Sequence, residues 1–141
     1  MYPGAAAQTT AGLQKWVFSS ITNSWNYVYT LQAGLNLGMP YTVAGYPTGN
    51  NSLTGLPWSP ATDGLRNITG RVDDDDRVTI WGITSTVSGN GDQGADPNKL
   101  VAITDSLKNA DPSIAAHESF FTVRSAKSGE VLRGVSFTPR I

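Results

Sequence analysis

The chain has no cysteine, a single histidine and only 15% charged residues among its 141. Lack of cysteine excludes disulfides, thiolate nucleophiles and thiolate metal ligands. A chain of this length can hold a core without disulfides, so the compartment stays open, with a slight lean to the extracellular side. With one histidine there is no His-rich metal spacing, and nucleophile-elbow, phosphate-loop and zinc-finger patterns are missing as well. Ten basic residues against eleven acidic ones leave a net charge of −1. That is no electrostatic footprint for nucleic acid or for an anionic membrane. No run approaches the roughly 18 apolar residues of a membrane-spanning helix. The opening segment, Met1 to Ala7, has neither the basic nor the apolar region of a secretion signal. Scarce charge also argues against long helices, whose solvent faces are built from Lys, Glu and Arg.

Turn formers are abundant instead, with 15 Gly and 8 Pro. After a lead-in at 1–11 that reads as flexible, residues 12–141 form one all-β domain. Gly12 to Phe18 alternates, with Gln14, Trp16 and Phe18 on one face and Leu13, Lys15 and Val17 on the other. Six turn-forming residues lead to a second β-rich run, Trp25 to Leu31, which predicts a hairpin. Residues 32–64 are rich in Gly and Pro, and Tyr41, Tyr46 and Trp58 predict an ordered loop packed on the body. Leu65 to Val72 and Arg77 to Thr84 flank Asp73-Asp74-Asp75-Asp76, a second hairpin whose Asp side chains suit a turn. Further strands are expected at Lys99 to Thr104, Phe120 to Arg124 and Val131 to Phe137. Two glycosylation sequons are present, at Asn50-Asn51-Ser52 and Asn67-Ile68-Thr69. Asn67 falls in an expected inner strand, where a glycan would not fit.

Leu65-Arg66-Asn67-Ile68-Thr69 is echoed by Leu132-Arg133-Gly134-Val135-Ser136 at an offset of 67 residues. The leading hairpin likewise takes the place of Leu100 to Asp105 and Phe120 to Arg124. Lettered by position, the chain reads c–d, then a–b–c–d, then a. Antiparallel four-stranded repeats are propeller blades, so the expected architecture is a partial β-propeller of about one and a half blades. A lone blade cannot bury both faces. This predicts a homo-oligomer or a complementing propeller chain, with Val131 to Phe137 at the contact, the alternative being a different compact β-structure.

The stretches GLRNITGRV, VTIWGITST, ADPNKLVAITD and EVLRGVSFTP resemble the carboxy-terminal blades of a family of uncharacterised bacterial and plant β-propeller proteins. The resemblance covers about residues 12–140 and implies four-stranded blades. Met1 to Ala11 departs from the strand that precedes Gly12 in that family. No established activity comes with the resemblance to be carried onto these residues.

Candidate chemistry is sparse. Gly89 to Gly94 matches G-x-G-x-x-G literally, but a strand follows where a dinucleotide site needs a helix. Asp92, Asp96 and Asn98, with Asn90, offer oxygen ligands for calcium, the one cofactor this loop could take. Against that stands a structural role for Asp96 and Asn98, pinning the loop through backbone bonds. The four consecutive aspartates read as a solvated tip. His117 and Glu118 are sequence neighbours, which point apart on an extended chain and so make a poor acid–base pair. Arg66 and Arg133, on the strands expected innermost, form a candidate grip for a small anionic ligand, each with the alternative of pairing to an adjoining blade. Trp16 and Trp81 are expected between sheets, and Trp58 is the candidate stacking platform for carbohydrate. The expected function is a non-catalytic binding or assembly module for glycan or protein. The alternative is a hydrolase- or lyase-type propeller enzyme with a channel-end site of Arg66, Arg133, Asp92 and Asp96.

Overall fold

The computed structural model describes residues 8, 10–74, 76–92 and 94–139. Most of the lead-in at 1–11 therefore lies outside the described residues. The fold is all-β, with two open antiparallel sheets of two and four strands.

The first sheet is the hairpin of β1 (Leu13–Ser19) and β2 (Ser24–Leu31). A bulge between Lys15 and Trp16 shifts the register, so that Lys15 faces Tyr29 but Trp16 faces Tyr27. Alternation places Leu13, Lys15, Tyr29 and Leu31 inward. Gln14, Trp16, Phe18, Trp25 and Tyr27 share the outer face. The second sheet is a meander of β3 (Ala61–Val72), β4 (Arg77–Val87), β5 (Lys99–Ser106) and β6 (Phe121–Ser125), in that spatial order. The aspartate run turns β3 into β4. Asp74 Oδ1 accepts from the amides of Asp76 and Arg77 at 3.0 and 2.9 Å, and Asp76 Oδ2 accepts from Ser106 Oγ at 2.9 Å. A single helical turn, α1 (Pro112–Ala115), interrupts the connection from β5 to β6. Asp111 caps it by accepting from the Ser113 amide, and Pro112, which lacks an amide hydrogen, suits the first turn.

Paired residues share a face in an antiparallel ladder, which fixes how the layers meet. Val101 and Ile103 of β5 and Ile80 of β4 point to one side of the four-stranded sheet. The hairpin packs there, in a core of Tyr29, Leu31, Leu35, Val101, Ile103, Ala115 and Phe120. The long connection of residues 32–60 covers the same side beyond the hairpin. It is tied down at Tyr41 (hydroxyl to Pro97 O, 2.7 Å; amide to Pro60 O, 2.9 Å), at Asn51 (Nδ2 to Gly89 O, 2.5 Å) and through Tyr46. It ends at Pro60, because β3 begins at Ala61, four residues before the first of the expected strand.

Val131 to Phe137 forms no strand, contrary to the sequence pattern. Among the described residues it pairs with no strand, and side chains hold it instead. Asn98 Nδ2 donates to Leu132 O at 2.9 Å and Asn98 Oδ1 accepts from Leu132 N at 2.8 Å. Asn67 Oδ1 accepts from Val135 N at 3.0 Å, and Phe137 meets Trp81 edge-on at 5.2 Å. One bond, from the Val135 amide to Asn67, thus joins the two echoed segments, and Phe137 lies on the sheet face opposite the hairpin.

Candidate functional site

Four aromatic rings form two edge-to-face pairs on the outer face of the hairpin. Trp16 and Tyr27 are 5.5 Å apart, as are Phe18 and Trp25. All four are about half exposed: Trp16 48%, Phe18 47%, Trp25 64% and Tyr27 51%. Trp16 was expected between sheets. It is not, because the bulge and the inward pull of Lys15 and Tyr29 turn its face to solvent. On the far side of the four-stranded sheet, Phe121 and Phe137 are exposed at 58% and 44%, with Trp81 half-buried between Phe137 and the Arg71 guanidinium. Trp58, the sequence candidate for stacking, is itself half-buried in the long connection.

The loop before β5 is organised around Asp96, which is fully buried. Its Oδ1 accepts from the Tyr46 hydroxyl, from Ser88 Oγ at 2.9 Å and from Asn90 Nδ2 at 2.5 Å. Burial, then the bond to Asp96 and its charge, push the Tyr46 phenol above its ordinary value. Asn98 spends its amide on Leu132 and on Thr84 O at 3.0 Å. Asp92 is exposed, and its amide donates to Asn90 Oδ1 at 2.7 Å. No group of three His, Asp or Glu among the described residues is placed to hold a metal ion. Arg66 lies directly over Gly94, where any Cβ would collide with its guanidinium, while Arg133 is exposed. His117 is exposed beyond the opposite end of β5 from Asp96. An eight-residue strand separates them by roughly 23 Å at about 3.3 Å per residue. His117 and the Asp96 loop are not one site.

A buried polar cluster joins hairpin to sheet. Lys15 Nζ lies 3.2 Å from Asp105 Oδ2 and donates to Tyr29 Oη at 2.9 Å, Ser106 O at 2.5 Å and Asn109 O at 2.9 Å. The Tyr29 hydroxyl donates to Asp105 Oδ1 at 2.8 Å. Burial opposes the Lys15 charge, but its bonds to Tyr29 and Asp105 outweigh this and hold its pKa above the ordinary value. Glu118 completes the cluster. Burial, followed by the charge of Asp105 and a hydrogen bond to it, pushes Glu118 up to about 7. The cluster joins hairpin to sheet, and Glu118 Oε2 is buried in it without a hydrogen-bond partner among the described residues.

Sequence reasoning gave no hint of one more feature. Lys99 opens β5, and its ammonium sits 3.9 Å from the centroid of the Tyr41 ring, a contact between residues 58 positions apart. Only the path of the long connection brings them together, and no local signal could have announced it. Comparison with protein-family models, with curated proteins and with solved structures gave no match.

Proposed function

We infer that the chain is a non-catalytic assembly module whose blade-like sheets stack head to tail with a second copy. The outer aromatic face of the hairpin on one copy meets the Phe121–Phe137 side of the next. The exposed aromatic face carries this reading. Four half-exposed rings present about 100 Å² each, some 400 Å² of apolar surface in one patch, a size that is often functional. At about 25 cal/mol per Å², covering it contributes about 10 kcal/mol before the cost of association, estimated at 4–15 kcal/mol, is subtracted. The chain's own interior supplies the template, since the same hairpin already stacks its other face on the four-stranded sheet. The two outer faces differ, so the contact is heterologous and forms a ring if its rotation closes.

Tryptophan emission tests this. Assembly moves Trp16 and Trp25 from water into an interface, so emission should shift to the blue as concentration rises from micromolar to near-millimolar. The shift should disappear in a Trp16→Ser, Trp25→Ser double variant. A spectrum independent of concentration in the intact chain counts against stacking.

A further inference from the structure

Tyr41 and Lys99 line a cleft of about 580 Å³, together with Val43, Ala126, Lys127 and Ser128. That volume falls within the range of small-ligand sites. The floor is rigid. The Tyr41 hydroxyl is anchored on Pro97 O, Ser128 Oγ donates to Gly45 O at 3.1 Å, and the Ala126 amide bonds Asn98 O at 2.8 Å. Positive charge in this cleft is under-compensated. Neither Lys99 nor Lys127 has a carboxylate within ion-pair distance among the described residues. Glu130, three positions after Lys127, bonds the Lys127 amide at 3.0 Å and pairs with Arg124 at 3.6 Å, so the Lys127 charge acts on it only at longer range. Burial holds the Lys99 pKa below its ordinary value, the mark of an ammonium that has left water without gaining an anion. The Tyr41 ring face steadies it but leaves its hydrogen-bond donors unspent.

We propose that this cleft binds an organic carboxylate carrying a small apolar body, its carboxylate on Lys99 and Lys127 and its body along Val43 and Ala126. Walls that are largely apolar suit a monoanion with a hydrophobic part. A phosphate could also sit on two lysines, but it has no apolar part to lay along Val43 and Ala126. The site is independent of the stacking faces.

Benzoate is the probe, with benzamide as its neutral isostere and inorganic phosphate as the rival anion, each titrated into the intact protein by NMR. Benzoate should perturb Tyr41 and Ala126. It should also raise the Lys99 ammonium pKa, because a bound carboxylate restores the stability of the charge. Lys99→Met keeps the stem and removes the charge, and should weaken benzoate about tenfold, the loss of one charge-assisted hydrogen bond. Lys127→Ala should weaken it less. Benzamide binding as well as benzoate, an unmoved Lys99 pKa at saturating benzoate, or phosphate displacing benzoate at equal concentration would each overturn the assignment.

Discussion

Replacing Glu118 with glutamine should stabilise this protein at pH 8 and change little at pH 5. Glu118 is partly buried beside Asp105, which is 5% exposed. The cluster also contains the Lys15 ammonium from β1, the Tyr29 hydroxyl from β2 and the Ser106 amide, and only Lys15 and that amide favour the Glu118 charge. The folded state therefore holds the Glu118 proton up to about pH 7, against an ordinary value of 4.5. A carboxyl whose pKa is raised by folding stabilises the fold fully below the unfolded value. That contribution fades as pH rises through the folded value. A gap of about 2.5 units, at 1.36 kcal/mol each, bounds the loss at about 3.4 kcal/mol, and residual contact with solvent reduces it to about 2 kcal/mol. Asp73, Asp76, Asp111 and Glu130 are shifted down, each chiefly by a hydrogen bond, so their contributions are lost only on acidification below the Glu118 window. Glutamine stays neutral throughout and keeps a donor for Asp105. Urea unfolding at pH 5 and 8 should show the wild type losing stability between the two while Glu118→Gln loses far less, leaving the variant ahead by about 2 kcal/mol at pH 8. The reasoning fails if the gap between the two proteins is the same at both pH values, or if the wild type gains stability on going to pH 8.

Asn98→Ala removes three hydrogen bonds at a site 1% exposed and should cost about 3 kcal/mol, read by urea unfolding. The Leu132 amide should then exchange with solvent much faster, whereas unchanged protection would mean that Asn98 is not what holds the carboxy-terminal segment. Gly94→Ala and Gly91→Ala both put a side chain at a φ of +78°, but only at Gly94 does the new Cβ meet Arg66. The Arg66 guanidinium is the free end of a flexible side chain and can swing aside, so the two variants should cost about the same in a thermal melt, about 1 kcal/mol each for the left-handed backbone; a much larger cost at Gly94, recovered by adding Arg66→Ala, would show Arg66 to be fixed in place.

The strands of both hairpins were readable because alternation and turn chemistry are local. Gln14, Trp16 and Phe18 do share a face, and the aspartate side chains do cap their turn. Alternation does not tell which face is inner, however. Lys15 and Tyr29 point inward only because Asp105, some 90 residues from Lys15, waits for them, and Trp16 is turned outward as a result. β3 starts at Ala61 inside a stretch, Ala61-Thr62-Asp63-Gly64, that reads as turn, since its pairing to Thr86 and Val87 overrides local preference. Val131 to Phe137 has the pattern of a strand, but a strand also needs a partner edge. The short helix was announced by Asp111-Pro112-Ser113, a cap followed by proline, and could have been found. The Asp96 hub is half-legible, since Asp and Asn between glycines suit bonds that pin a loop, while the donors Tyr46 and Ser88 come from distant or non-periodic positions. The Lys99 cleft was not legible at all.

Light scattering of the intact chain tests the assembly reading most directly. Stacking of outer faces predicts a mass that rises with concentration to a multiple of the 15.0 kDa chain. A mass fixed at 15.0 kDa up to near-millimolar concentration would contradict it.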